Sequence, residues 1–358
     1  MNQLEGRSST ADLLEQAING KRRAQGQLLT LIERGGFAAD EVTELLHHYT
    51  QSRAHNSTLA GARCHAAVVG FTGAPGCGKS TLVGCLVAKI TQEAGVGRSP
   101  AVLAVDPSSP LTGGAILGDR IRMEENVPAA RSDGTDRTAN AAVGGGAFIR
   151  SMATRGHAGG LALAVPAALR LFEACGYGPL IVETAGVGQV EVDVTRTADT
   201  TVVIVAPGMG DAVQANKSGL LEVADVLVVN KSDRPGAEDA RRDLEHMLDL
   251  GHMTGLTGQW RPKVIMTTAT EGTGADQVIN AVQAHREHLE HAGQLEARRE
   301  ARIHQEVRDR VSQCLETAAE YHLGTKPDPL AAALKERITP AAAAAAISQH
   351  LLASDMPA

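Results

Sequence analysis

The sequence predicts an α/β protein: a mostly parallel central sheet flanked by helices, with helical extensions at both ends. Three observations carry this. Short Val- and Ile-rich runs alternate with helical stretches between residues 63 and 280. A glycine-rich turn closing on Gly-Lys-Ser follows the first of those runs. Polar segments with helix-like spacing of apolar residues lie on either side of this region.

The expected strands are AAVVGF (66–71), AVLAVD (101–106), PLIVET (179–184), TVVIVA (201–206), VLVVN (226–230) and KVIMTT (263–268). Each is nearly continuously apolar, as strands covered on both faces are. Their alternation with helices predicts a parallel sheet, whose ligands bind beyond the carboxyl ends of the strands. Residues 1–62 read as an N-terminal helical arm, with Leu13, Leu14, Ile18, Leu28, Leu29 and Ile32 at helical intervals and Gly20 and Gly35-Gly36 as stops. Residues 281–358 read as a C-terminal helical arm. From Ile303 onward its apolar residues Val307, Val311 and Leu315 recur every fourth position, a narrow stripe on a charged helix that reads either as a partner-facing seam or as a solvated face.

Composition narrows the class. Of 358 residues, 43% are hydrophobic and only 2% aromatic, so the core rests on Ala, Val, Leu and Ile. A net charge of -7 argues against nucleic-acid binding through bulk positive charge. Cys64, Cys77, Cys85, Cys175 and Cys314 are scattered without CxxC spacing, which points to reduced thiols rather than disulfides or a zinc site. The N-terminal MNQLEGRSSTADLLEQ lacks the apolar core of a signal peptide, and no apolar run reaches the ~18 residues of a membrane span. The expectation is a soluble, cytoplasmic protein.

The turn is GFTGAPGCGKST. Gly73-Ala74-Pro75-Gly76-Cys77-Gly78-Lys79-Ser80 fits GxxxxGK[ST], the P-loop, with a strand expected before it and the helical run LVGCLVAKI after it. Its glycines let successive backbone N–H groups turn onto phosphates at a helix N-terminus. Lys79 is placed to reach the β- and γ-phosphates, and Ser80 to offer its hydroxyl to Mg²⁺. Cys77 lies inside the loop, as a small filler or as a redox-sensitive thiol.

The base is read further on. VLVVNKSD sets Asn230, Lys231, Ser232 and Asp233 at a strand end. An aspartate accepts both N–H groups of the guanine N1/N2 edge, which adenine cannot supply. Asn230 and the Lys231 stem are expected to brace the loop. Thr268-Ala269-Thr270 occupies the place of a second base-contacting loop. Asp106, at the end of a strand, Asp119, in GDRIRM, and Glu183, in IVETAG, are three further acids. Acids converging on a triphosphate require Mg²⁺, its waters or an attacking water to offset their repulsion.

Together, GAPGCGKST, AVDPSSPLTGGAILGDRIRM, FIRSMATRGHAGGLA, ETAGVGQVEVDV, PGMGDAVQANKSGLLEVAD and NKSD resemble the MeaB/ArgK/MMAA family of SIMIBI-class P-loop GTPases, chaperones of adenosylcobalamin-dependent acyl-CoA mutases. The resemblance runs from LLEQAINGKRRA to EHLEHAGQLEARRE and is weakest beyond about residue 325. It implies a Mg²⁺-dependent GTPase that cycles between GTP and GDP. It places Asp106, Asp119 and Glu183 around the metal and γ-phosphate, has Gly186 sense that phosphate through its N–H, and sets Gln189 in the same switch. It implies that Asp211, Gln214 and Lys217 signal to the mutase and that the C-terminal helices dimerise. Thr268-Ala269-Thr270 departs from the family's SA[KL].

Other polar groups have local readings. Arg150, Arg155 and His157 read as a switch or partner contact, or as an anchor of the nucleotide-side loops. His285, His288 and His291 fall three apart on a helix and read as a solvated face rather than a metal site. Three rival functions stay open, one of them a non-enzymatic binding module whose switch acids are remnants. A nickel-insertion GTPase of the same class would need a Cys/His cluster or a His-rich tail. A transport-protein kinase would pass the phosphoryl group to a protein.

Overall fold

The computed structural model describes residues 9–56, 66–93, 99–106, 146–153, 160–184, 196–208, 223–253, 260–325 and 338–353. Seven parallel strands form one sheet in the order β3-β2-β4-β1-β5-β6-β7. They are β1 (Val68–Thr72), β2 (Ala101–Asp106), β3 (Phe148–Ala153), β4 (Leu180–Thr184), β5 (Thr200–Val205), β6 (Val226–Asn230) and β7 (Lys263–Thr267). The four central strands β4, β1, β5 and β6 are buried at every position, which is why each reads as an unbroken apolar run.

Six strands fall where the sequence placed them, within one or two residues. β3 was not expected. It is an edge strand, and Arg150 and Ser151 interrupt its apolar run. An edge strand needs no burial on both faces, so polar residues are tolerated there and the signal is lost.

Side chains alternate across the sheet. One face sends Val69, Phe71, Val202 and Ile204 against α4 (Lys79–Glu93) and Val278 and Ala281 of a helix near the C-terminus of the sheet domain. The other face sends Val68, Leu103, Val105 and Met152 against α5 (Gly160–Ala174) and the N-terminal helices α1 (Thr10–Ile18), α2 (Arg22–Arg34) and α3 (Phe37–Asn56). Farther along that face, Val203, Val205, Leu227 and Val229 pack with Leu244 and Leu248 of α6 (Ala237–Met253).

The N-terminal helices thus share a core with the sheet. Ser9 caps α1, its hydroxyl accepting from Asp12 N at 3.1 Å while Asp12 accepts from Ser9 N. Arg22 donates to the carbonyls of Gly146 and Ala147 at 2.9 and 2.8 Å, and its guanidinium lies 5.6 Å from the centroid of the Phe148 ring. Phe148, Phe172 and Tyr177 pack together beneath it, with ring centroids 5.3 to 5.9 Å apart. Arg150 pairs with Glu33 at 2.9 Å and donates to Thr30 Oγ1 at 3.1 Å. Its place is therefore an anchor between β3 and α2, not a switch contact. Arg155 and His157 lie outside the described residues.

The remaining helices are α7 (Ala275–His291), α8 (Gln294–Thr325) and α9 (Pro340–Ala353). The expected boundary at residue 281 falls inside α7, whose Ala275, Val278 and Ala281 belong to the core of the sheet. The chain instead divides into compact units Met1–Arg302 and Ile303–Ala358, within α8. In the second unit Ile303, Val307, Val311 and Leu315 are exposed, 61% in the case of Ile303. Among the described residues no helix is long and apolar enough to cross a membrane.

The first turns of α8 are not simply solvated. Arg298 grips Asp225 with both terminal nitrogens at 3.0 Å and donates to Asp199 O at 2.8 Å. Arg302 reaches Asp199 Oδ1 at 2.7 Å and Thr197 O at 2.6 Å. Asp199 and Asp225 are buried at the amino ends of β5 and β6, where they accept from Val68 N and Thr201 N. Both carboxylates are thus paired with a guanidinium and hydrogen-bonded to backbone, the condition for burying charge.

His285 corrects the solvated-face reading. It is fully buried, with Nδ1 2.9 Å from Thr200 Oγ1, Nε2 3.2 Å from Asp225 Oδ1 and its ring 4.9 Å from that of Trp260. Among the described residues no group of three or more potential metal ligands exists. Burial pushes the imidazole down to about 4, with Asp225 opposing and Arg298 reinforcing. A folded-state value below the ordinary one means the unfolded chain takes up the proton first. Stability is then unaffected above about pH 6.5 and falls as pH drops toward 4, by about 1 to 2 kcal/mol at pH 5. Urea midpoints between pH 7 and pH 5 should decline less for His285→Gln than for the unaltered chain.

Candidate nucleotide site

The parallel sheet brings its seven carboxyl ends to one edge, and Lys79, Ser80, Glu183, Asn230 and Lys231 stand there. β1 ends at Thr72 and runs straight into the glycine-rich loop, which α4 closes from Lys79. β4, beside β1, ends on Glu183 and Thr184, with Glu183 in register with Phe71. On the other side β6 ends on Asn230, in register with Thr267 at the end of β7.

The loop is held by contacts that exclude larger residues. Gly73 has φ 144°, and a Cβ there would lie 2.1 Å from Ile204 O. Gly78 has φ 94°, and a Cβ there would lie 2.3 Å from Asn230 Nδ2. Pro75 and Gly76 are exposed at the tip, while Thr81 is half-buried in the first turn of α4. Cys77 is fully buried. Burial raises its thiol above the usual range, with Lys79 opposing. It fills core and presents no reactive thiolate; what it contributes to the loop is a carbonyl.

Lys79 is 6% exposed, and its Nζ donates to Gly73 O at 2.7 Å and Ala74 O at 3.2 Å, folded across the mouth of the loop. Ser80 Oγ donates to Glu183 Oε1 at 2.6 Å. Glu183 is 4% exposed. A hydroxyl and a carboxylate in contact beside an ammonium are hard oxygen donors of the kind Mg²⁺ takes, so the residues present fit that ion.

Asn230 holds three segments at once. Its Nδ2 donates to Cys77 O at 2.9 Å, and its Oδ1 accepts from Thr267 Oγ1 and from Ala269 N, both at 3.1 Å. Lys231 adopts φ 59°, a left-handed conformation uncommon for a side chain of its size, and its Nζ donates to Gly76 O at 2.6 Å. Asp233 is exposed.

Thr268-Ala269-Thr270 forms a tight turn. Thr268 N donates to Thr273 O at 3.1 Å, Ala269 is buried and Thr270 exposed. Two bracing groups were not read from the sequence. Ser232 Oγ pairs with Thr268 Oγ1 at 2.9 Å, and Ser232 N donates to Thr267 O at 2.9 Å, so the β6–β7 ladder continues past the strand ends. Ser232 stands at the open position of NKxD, where no residue type signals a role. The doubled threonine at 267–268 was the one available hint.

Asp106 ends β2, with its backbone paired to Ala153 at the same edge. Its side chain, and all of Asp119, Gly186, Gln189, Asp211, Gln214 and Lys217, lie outside what is described.

This geometry meets a family match. The profile "Methylmalonyl Co-A mutase-associated GTPase MeaB" matches residues 27–322. The chain belongs to the MeaB family. It is therefore a P-loop GTPase. A GTPase-named protein of Pyrococcus abyssi is 41% identical over 301 residues, 84% of this chain and 83% of that one. The GTPase ArgK of Escherichia coli is 36% identical over 296 residues, 81% and 80% of the two chains. Among solved structures, the LAO/AO transport system kinase superposes with a TM-score of 0.63 at 26% identity, over 98% of this chain and 100% of that one. In this MeaB-family chain the glycine-rich loop, the Ser80–Glu183 contact and the Asn230 bracket are one connected unit.

Two substitutions separate bracing from reading. Asn230→Ala strands a buried hydroxyl and a buried N–H, and should destabilise the nucleotide-free chain by about 1–3 kcal/mol. Asp233→Ala, on the surface, should stay within about 0.5 kcal/mol. Guanidinium midpoints check both; equal losses would mean that Asn230 is not a structural bracket.

Proposed function

We propose that the chain is a Mg²⁺-dependent GTPase whose nucleotide state gates cofactor loading or reactivation of an adenosylcobalamin-dependent acyl-CoA mutase. The observation that carries the chemistry is the contact between Ser80 and the buried Glu183 beside Lys79. The family match supports the partner.

In this reading Gly73, Gly76, Cys77, Gly78 and Thr81 offer backbone N–H groups to the phosphates, and Pro75, which has none, shapes the loop around them. Lys79 leaves its two carbonyls for the β- and γ-phosphates. Ser80, with Asp106, Asp119 and Glu183, holds Mg²⁺ directly or through water. When bound, that ion offsets charge building on the transferred phosphoryl oxygens. Glu183, nearly dry, orients the attacking water with little freedom to stray. Gly186 N–H senses the γ-phosphate. Asp233 reads guanine, over a floor set by Asn230, Lys231 and the turn Thr268, Ala269 and Thr270. GTP and GDP differ by the one phosphate these groups touch, so hydrolysis changes the order of the segment carrying Gln189, and Asp211, Gln214 and Lys217 pass that change to the mutase. The exposed stripe Ile303, Val307, Val311 and Leu315 supports a homodimer built through the C-terminal helices. The helices before β1, the sheet domain and the helical region from Ile303 onward then act as cap, switch and dimer arm of one cytoplasmic protein.

Released phosphate decides the chemistry. Glu183→Gln keeps an acceptor for Ser80 yet removes the charge, and should lower the GTPase rate by about 10²–10³-fold with GDP affinity changed much less. Asp233→Asn should lose the preference for GTP over ATP. The partner is tested by turnover with and without purified candidate mutases. Acceleration of at least tenfold by one of them is expected; no change with any would sink the chaperone role while leaving the GTPase intact. The likeness to the LAO/AO transport system kinase motivates one second reading. There, γ-labelled phosphate would end on a protein acceptor rather than in solution.

A further inference from the structure

We propose that the chain carries a second small-molecule site, distinct from the glycine-rich loop, that accepts a neutral, mostly apolar effector. Its location is a cavity of about 430 Å³ between one face of the sheet and two helices. Val69 and Phe71 of β1, Ile181 of β4, Leu86 and Ile90 of α4 and Val282 of α7 supply the walls. A volume in this range, apolar walls and a few polar groups describe small-molecule pockets generally. Apolar cavities hold water poorly, so an apolar ligand enters without displacing a good hydrogen-bond network.

The polar lining sets the ligand's chemistry. It consists of Glu93, Gln283 and Arg286. Glu93 and Gln283 are exposed and Arg286 is half-buried, so these three mark the side open to solvent. Arg286 Nε already donates to Glu290 Oε1 at 2.8 Å, and Glu93 adds a further negative charge to the lining. A carboxylate head would set attraction to Arg286 against repulsion from Glu93 and Glu290, an ammonium head the reverse, and either would lose its hydration against apolar walls. A neutral head that exchanges hydrogen bonds with the Gln283 amide meets neither penalty. The fitting class is an aliphatic body of medium length with one uncharged hydrogen-bonding group.

The site is placed to act on the nucleotide. α4 begins with Lys79 and Ser80, and its later turns form a wall of the cavity. Phe71, another wall residue, is two positions before Gly73. A ligand that moves this helix moves the loop, and the two affinities then change by one common factor.

The test uses the full chain with 1-octanol as the probe and octanoate and octylamine as charged controls. Methyl NMR spectra of the protein are recorded during titration, with and without saturating GDP. Saturable shifts confined to methyls of Val69, Ile90, Ile181 and Val282 are expected, with at least tenfold weaker binding of both charged analogues. Filling the space with Val282→Phe should weaken octanol binding at least tenfold while GDP still binds. Should that variant fail to fold, the methyl map on the unaltered chain decides. Shifts that never saturate, that scatter over the surface, or that are matched by octanoate would overturn the site. An octanol affinity unchanged by GDP would overturn its effector role.

Discussion

The amide of Asn230 is the interaction on which the site depends. Three chain segments that are remote in sequence meet on its two polar atoms: the glycine-rich loop, the end of β7 and the turn after it. No other small side chain offers both a donor and two acceptor directions in one plane. Aspartate would lack the donor for Cys77 O, and serine could not span the gap. The bracket also explains why Gly78 must remain glycine, since the amide fills the space a Cβ would take. Loop shape and base-loop position are therefore a single variable.

The sheet sorts its polar groups by edge. At the carboxyl edge, among the described residues, Lys79 donates only to carbonyls of its own loop and Ser80 only to Glu183, in single hydrogen bonds rather than ion pairs. At the amino edge, Asp199 and Asp225 are locked by arginines, backbone N–H groups and a buried histidine, in contacts that nothing is meant to exchange. Burial is similar at both edges. What differs is the pairing: complete ion pairs give rigidity, and a lysine turned onto its own loop keeps a charge available.

The legibility of the chain follows the same physics. Central parallel strands must be apolar on both faces, so β1, β4, β5 and β6 stood out as runs, and the P-loop and NKSD could be read because strand ends place them. β3 escaped because an edge strand tolerates Arg150 at its centre, and what Arg150 meets, Glu33, is over a hundred residues away in the chain. His285, Arg298 and Arg302 escaped for the same reason. Charge on a long helix looks solvated until its partners, Asp199 and Asp225, are brought up by strands about 60 to 103 residues distant. Local periodicity reports which face of a helix is apolar. It does not report which charges a distant strand will cover.

The way α8 is rooted bears on how the molecule can be shortened. Its first two turns belong to the sheet unit by their ion pairs, although the helix reads as one continuous extension. A truncation at the start of the charged stretch would leave Asp199 and Asp225 buried without their guanidinium partners, a far costlier state than losing an exposed helix. The same cut, near residue 281, would pass through α7 and take His285 with it. An isolated sheet unit should therefore keep the chain through Arg302, and the part that can be removed, exchanged or fused begins at Ile303.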